Sequence, residues 1–227
     1  MNCFLVQSSV GRKLVMSISG CCLVLFLLFH MSMNITAVFS AEAYDAICAF
    51  LGANWYALVA TVALAALVVV HILYAIWLTL QNRTARGSQR YKVTVQEANV
   101  SWSSKNMLVL GFAVLAGLLV HFFNFWYNMQ FTEIMGEHVN SLGTSPVSGA
   151  ELIAYHFSKL PYVIIYLVWF AALWFHLTHG VWSMFQSVGW ANKTWYPRLK
   201  CIANVVATLV FAGFALVVVV FYIRSLC

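Results

Sequence analysis

The chain has 227 residues, of which 63% are hydrophobic and only 8% are charged. Soluble domains carry about 25% charged residues, so this composition excludes a soluble globular protein and predicts an integral membrane protein. The formal net charge of +6 does not indicate nucleic-acid binding, because such binding needs a folded basic surface and the hydrophilic segments are too short to form one.

Five apolar stretches are each long enough to cross a hydrocarbon core, which takes ~20 helical residues. In chain order they lie at about 14–37, 54–80, 106–130, 158–185 and 201–223. The first is longer than the apolar region of a secretory signal. We therefore expect residues 1–227 to form one all-α membrane domain with five transmembrane helices. The hydrophilic pieces 81–105 and 131–157 are predicted to be loops, each with a short surface helix.

Charged residues predict the orientation, because cytoplasmic loops of membrane proteins are rich in Lys and Arg. Ten of the 12 basic residues fall on one side of the predicted spans: Arg12 and Lys13, five within 83–105, and three within 193–200. All the acidic residues except Glu97 fall on the other side. The N-terminus is thus predicted to be cytoplasmic and the C-terminus external.

The six cysteines have neither the CxxC nor the CxxH spacing. This indicates a packing role and predicts neither a disulfide framework nor a covalently attached haem.

Two histidines lie at one depth in the outer half of the first and third spans. His30 comes 17 residues after Lys13, and His121 comes 16 residues after Lys105. At a helical rise of ~1.5 Å per residue, both lie about 24–25 Å from the inner rim.

A second pair lies nearer the predicted cytoplasmic side, in the second and fourth spans. The segments HILYAIWLTLQ (71–81) and HLTHGVWSMFQ (176–186) both read His, then Trp six residues later and Gln four residues after that. This repeat matches His71 with His176, each ~15 Å from its glutamine, and leaves His179 as a neighbour rather than an equivalent.

Two levels, each with one histidine from two different helices, are what two bis-histidine haem b groups require. Three small residues lie one turn from a predicted ligand, where they would let a porphyrin approach: Ala75, Gly117 and Gly180. Histidines that only hydrogen-bond within the core are the simplest alternative. A proton path typically adds an embedded carboxylate or lysine, and zinc needs its ligands at one point.

The sequence resembles the cytochrome b membrane subunit of succinate:quinone oxidoreductases, in the five-helix, two-haem form with a single anchor polypeptide. The segments that carry the resemblance are SGCCLVLFLLFHMSMN (19–34), HILYAIWLTLQNRTAR (71–86), LLVHFFNFW (118–126) and FHLTHGVWSMFQSVGW (175–190).

This resemblance implies that four of the helices hold two haem b groups, with His71 and His176 on the proximal haem and His30 and His121 on the distal one. It implies flavoprotein and iron–sulfur subunits on the cytoplasmic face of a bacterial membrane. It also implies electron transfer to or from a membrane quinone, with menaquinone expected, and no binding of the dicarboxylate by this subunit.

Two positions depart from the family's pattern. Some members carry a glutamate near the outer start of the second helix, where this chain reads GANWYA (52–57), and an embedded glutamate where it has Trp174. A proton path of that kind is therefore not expected. Candidate groups for an outer quinone site, each more simply interpreted as a surface residue, are Glu42, Asp45, Glu151 and His156.

Other side chains are candidates for contacts with the haem. Basic side chains of the inner rim match propionates in charge, although topology alone explains most of them. The candidates are Arg12, Arg83 and Lys193 for propionates, Trp77 and Trp182 for porphyrin packing, and His179 for a propionate or a quinone.

Two alternatives stay open. One is a cytochrome b anchor of a hydrogenase, formate dehydrogenase or nitrate reductase. The other is a transporter or scaffold without haem.

Overall fold

The computed structural model describes residues 8–52, 54–86 and 101–227, and this part of the chain contains helices but no strand. The helices are α1 Ser9–Phe39, α2 Ala41–Phe50, α3 Trp55–Arg86, α4 Trp102–Lys105, α5 Met107–His121, a π-helical segment Phe122–Phe131, α6 Thr132–Ile134, α7 Gly149–Phe157, α8 Leu160–Ser187 and α9 Trp195–Leu226.

Five helices are long and apolar enough to cross a membrane: α1, α3, the continuous stretch from α5 to α6, α8 and α9. This confirms the prediction of an all-helical chain with five spans, although most helices extend beyond the predicted bounds. α1 starts early because the Ser8 hydroxyl caps it by accepting a hydrogen bond from Gly11 N at 2.8 Å. α8 starts two residues later than predicted because Lys159 has an extended backbone and Pro161 fits only the first turn.

The long helices alternate in direction. The ends of α1 and α9 meet where Arg224 Nη2 donates a hydrogen bond to the Val38 carbonyl at 2.8 Å. Because both helices end there, they run in the same direction, as the first and fifth helices of an up-and-down bundle do.

Small residues hold the most closely packed part of the bundle together. Ala203 and Ala207 of α9 are wholly buried against its neighbours. A Cβ atom on Gly213 would overlap the Met31 side chain of α1, and one on Gly117 of α5 would overlap the Trp169 indole of α8. Such close approach is how helices associate in lipid, where no hydrophobic force drives them together.

α3 is the least enclosed of the five helices. In the described part of the chain it packs along its length against α1, with no comparable packing against α5, α8 or α9. No residue in its most apolar stretch is buried. The face of α3 that looks toward α5 and α8 is therefore open.

Two helices outside the spans cover the end of the bundle where α1 ends. α2 follows α1 directly because Ser40 breaks the helix and then caps α2 by accepting a hydrogen bond from Ala43 N. Asp45 Oδ1 of α2 accepts a hydrogen bond from Ala150 N at 2.8 Å and so caps α7. α7 is the surface helix predicted in 131–157, whereas α2 was not predicted.

The predicted loop 81–105 is described only in part. Its last residues form the short helix α4. Residues 87–100, which include Arg90, Lys92 and Glu97, lie outside the described residues.

The third span widens into a π-helix after His121. Asn128 Nδ2 donates hydrogen bonds to the carbonyls of Phe123 and Asn124, and the Thr132 hydroxyl donates one to Tyr127. These side chains thus donate to backbone carbonyls inside the wider turns, and such local bonds compete with the regular α-helix.

Replacing Gly117 by Ala is expected to destabilise the bundle, because the added methyl group would overlap Trp169. Overpacking of this kind costs about 1–3 kcal/mol. Gly180→Ala is the matched control, since its Cβ would have no neighbour within 4 Å. Both variants gain the same helix propensity, so the difference between their apparent Tm values in detergent isolates the packing cost. Equal Tm values would contradict the close approach of α5 and α8.

Candidate functional site

The outer pair of histidines is brought together between α1 and α5. The ring centroids of His30 and His121 are 5.8 Å apart, and the ring planes are nearly perpendicular, at 84°. His30 stacks on Phe26 with an interplanar angle of 15°. On the other side, His121 lies against Trp169 of α8, with centroids 5.8 Å apart. Two helices thus present one imidazole each at the same level, inside an aromatic enclosure.

The inner histidine of α3 is held by a hydrogen bond to α1. His71 Nδ1 lies 3.0 Å from Ser19 Oγ, and Ser19 Oγ lies 3.1 Å from the Met16 carbonyl. When the Ser19 hydroxyl donates to Met16, it accepts from His71, and Nδ1 then carries the proton. In that tautomer the neutral ring has its lone pair on Nε2, the nitrogen available to a ligand.

The inner histidine of α8 has a free nitrogen. His176 Nδ1 is buried and has no hydrogen-bond partner in the described part of the chain. The His71 ring lies near that of His176, as does the ring of His179 on the same helix. His176 and His71 are therefore neighbours across the open face of α3.

Each inner histidine lies against a glycine of a neighbouring helix. A Cβ atom on Gly20 of α1 would lie 3.5 Å from the His71 ring, and one on Gly111 of α5 would lie 3.9 Å from His176. The sequence predicted three other small residues beside the ligands, Ala75, Gly117 and Gly180. Of these, Gly117 makes room for an indole, and Gly180 has no neighbour within 4 Å of its Cβ position.

His179 points toward a different part of the bundle from His176. Its ring lies edge-on to Trp182, with centroids 5.0 Å apart, and it interacts electrostatically with Lys200 of α9. Because Lys200 belongs to α9, His179 looks toward α9, whereas His176 looks toward α3 and α5. His179 Nδ1 is buried without a partner in the described residues.

The two tryptophans of the internal repeat are each covered by a cation from a neighbouring helix. The Arg12 guanidinium of α1 lies 5.1 Å from the centroid of Trp77, and the Lys200 ammonium of α9 lies 5.6 Å from that of Trp182. These are cation–π contacts within the protein. The other two predicted propionate partners, Arg83 and Lys193, are exposed.

The four quinone candidates do not form one cluster. Glu42 and Glu151 are exposed. Asp45 caps the start of α7, and His156 lies near its other end and is only 4% exposed. Describing Asp45 and His156 as ordinary surface residues is therefore wrong, since each joins two elements of the structure.

His156 connects α7 to the π-helical segment. Its Nε2 donates a hydrogen bond to the Asn124 carbonyl at 3.0 Å, and its Nδ1 is buried without a partner in the described residues. Burial lowers the pKa of His156, the nearby charge of Lys159 lowers it further, and the bond to Asn124 partly opposes these effects. The ring is therefore neutral at pH 7. No signal in the sequence marked Asn124 as its partner.

No group of three or more His, Cys, Asp or Glu side chains among the described residues could hold a metal ion. The arrangement therefore offers pairs of imidazoles, and a metal held by two of them would need its remaining ligands from a cofactor. The described cysteines are all free: Cys21, Cys22, Cys48, Cys201 and Cys227.

Comparison with protein-family models, with curated proteins and with solved structures found no match to this chain.

His156→Gln is expected to reduce the acid sensitivity of the protein. Because the pKa of His156 is lowered in the folded state, the unfolded chain takes up a proton as the pH falls below 6.5 while the folded chain does not, and stability falls. The apparent Tm should thus drop more in the wild type than in the variant between about pH 7.5 and about pH 5.5. His138→Gln, at an exposed position, should behave like the wild type. Identical pH profiles for all three proteins would contradict this role.

Proposed function

We propose that the chain is a dihaem cytochrome b membrane anchor of a succinate:quinone oxidoreductase, acting as succinate dehydrogenase or fumarate reductase. The observation that carries the proposal is the pairing of four histidines from four helices at two levels, with no charged residue of either sign beside them in the spans. Bis-histidine ligation by facing helices is a common way for a bundle to hold haem.

The outer pair fits ligation of one iron. Two imidazoles from facing helices at one level are what a haem iron held by both would need. The observed separation between His30 and His121 is 5.8 Å. The aromatic rings of Phe26 and Trp169 beside them would exclude water from the site.

His71 and His176, the inner pair, fit the ligation of a second iron for two other reasons. Ser19 would hold the proton of His71 on Nδ1 when its own hydroxyl donates to Met16, which is the arrangement that metal-binding histidines normally have. Gly20 and Gly111 keep the space beside the two rings free of side chains. The open face of α3 would be filled by a flat apolar group between the helices.

Haem at these two levels would supply one-electron transfer across the bundle. The residues of the chain would bind and orient it, with His71 and His176 at the inner level and His30 and His121 at the outer level. Flavoprotein and iron–sulfur subunits would dock on the cytoplasmic face of a bacterial membrane, which we assign to the end carrying most of the basic residues. Menaquinone is the proposed quinone.

The external carboxylates are suited to exchange protons at an outer quinone site. Glu42 and Glu151 are exposed and lie in the first turns of α2 and α7, where a carboxylate also complements the helix dipole. Asp45 and His156 are engaged in capping α7 and in binding the π-helical segment. We therefore assign proton exchange to Glu42 and Glu151.

The purified chain is expected to bind two non-covalent haem b groups, measured as the pyridine haemochrome. His30→Ala and His121→Ala should lose the same haem, and His71→Ala the other one. A protein without haem would support a transporter or scaffold, and a single haem would contradict the two-level arrangement. Activity with succinate or fumarate and a defined quinone, assayed in the complex, separates this family from anchors of hydrogenase, formate dehydrogenase and nitrate reductase.

His176→Ala should lose the inner haem, whereas His179→Ala should keep both. The reason is that His176 interacts with His71, whereas His179 faces Trp182 and Lys200. Reduced-minus-oxidised spectra of the two variants test this difference. Loss of a haem in the His179 variant together with a normal spectrum in the His176 variant would reverse the assignment.

Ser19→Ala should raise the midpoint potential of the inner haem by about 20–60 mV. The hydrogen bond from His71 makes the imidazole more basic and so favours ferric iron. A hydrogen bond contributes about 0.5–1.5 kcal/mol, and 59 mV corresponds to a tenfold change for one electron. Ser17→Ala is the matched control, because Ser17 is also buried in α1 but donates only to the Lys13 carbonyl. Potentiometric titration should give unchanged potentials for the control and for the outer haem of both variants.

A further inference from the structure

A groove of about 580 Å³ runs along the side of α9 that borders α8, and none of the four paired histidines lines it. Its polar lining is Lys200, Asn204 and Thr208, and its apolar lining includes Val205 and Leu209. We refer to it as the α9 groove.

The polar residues of the α9 groove form a line that enters the span. Lys200, Asn204 and Thr208 follow each other at intervals of four residues, so each lies ~6 Å deeper than the one before. Thr208 Oγ1 accepts a hydrogen bond from Trp174 Nε1 at 3.1 Å. Asn204 is exposed and has no hydrogen bond to the described residues. An amide facing lipid without a partner is costly, so a partner from outside the chain is expected.

The mouth of the α9 groove is positively charged. The Lys200 ammonium is held 4.4 Å from the centroid of Tyr196. Lys193 and Arg198 are exposed nearby in the sequence, and residues 152–227 contain no Asp or Glu. No carboxylate side chain of α8 or α9 therefore neutralises this end of the groove, and the charge fits an anion.

We propose that the α9 groove binds one anionic phospholipid. Lys200 lies at the depth of the phosphate, and Asn204 lies ~6 Å deeper, where the glycerol ester carbonyls accept hydrogen bonds. Val205 and Leu209 line the path of an acyl chain. Basic pockets at the cytoplasmic ends of transmembrane helices bind anionic headgroups in this manner.

A second copy of the chain fits the groove less well. Two copies inserted in the same direction about a two-fold axis would bring their Lys200 side chains together, and these like charges would repel each other. A phospholipid supplies the opposite charge instead. The proposal is independent of haem, because none of the four paired histidines lines the groove.

Native mass spectrometry of the full chain in detergent tests the proposal. The titrants are phosphatidylglycerol and phosphatidylcholine with identical acyl chains. The wild type should retain one phosphatidylglycerol at least tenfold more tightly than phosphatidylcholine. Lys200→Gln should abolish this preference, and Lys200→Arg should keep it. Lys193→Gln removes the same charge at an exposed position outside the groove and should change the affinity less than twofold.

Asn204→Leu distinguishes the proposed contact of Asn204 with the ester carbonyls from that of Lys200 with the phosphate. It should weaken the binding of both lipids severalfold while leaving the preference for phosphatidylglycerol unchanged, because ester carbonyls are common to the two lipids. Equal binding of the two lipids by the wild type, or equal losses in the Lys193 and Lys200 variants, would overturn the proposal. A lipid-free dimer that Asn204→Leu dissociates would assign the groove to a second copy instead. Apparent Tm values in detergent without lipid show whether each variant is folded.

Discussion

An imidazole inside an apolar helix needs a partner, because a polar nitrogen without a hydrogen bond is costly away from water. The histidines of this bundle meet that requirement in different ways. His71 Nδ1 is hydrogen-bonded to Ser19 Oγ, His156 donates to the Asn124 carbonyl, and His30 Nε2 lies 3.5 Å from Asn34 Nδ2. His176 has a buried nitrogen with no partner in the described part of the chain. The hydrogen bonds and contacts of these rings determine which faces of α1, α3, α5 and α8 lie toward one another.

The bundle has one closely packed side and one open side. α8 contacts α1, α5 and α9, and Phe170 of α8 stacks on Phe214 of α9. α3 packs along its length against α1 and is otherwise joined to the third span by the Thr61 hydroxyl, which donates to Gln130 Oε1 at 2.9 Å. The packed side holds the aromatic residues around His121, whereas the open side holds His71. α3 thus tolerates a weakly packed face, whereas α9 is buried along much of its length.

Much of the fold follows from the sequence, since hydropathy gives the five spans and a constant helical rise gives depth. Counting residues from the basic rim puts His30 and His121 at one level, and the two rings are indeed neighbours. Spacing along a helix does not say which helix lies on which side. His176 and His179 point within about 60° of each other, yet they face different neighbours. The bond from Ala150 to Asp45 is also invisible to local patterns, because it joins residues 105 positions apart.

That separation in sequence sets an order of assembly. A ribosome adds about 5–20 residues per second, so Ala150 is made about 5–20 s after Asp45. During that interval α7 has not been synthesised, so Asp45 of α2 lacks its partner, Ala150 N. The contact between Arg224 and Val38 spans 186 residues and forms only when the last helix has been inserted. This end of the bundle is therefore completed only after the last span has been made, and a nascent chain truncated before α7 would leave α2 without its partner helix.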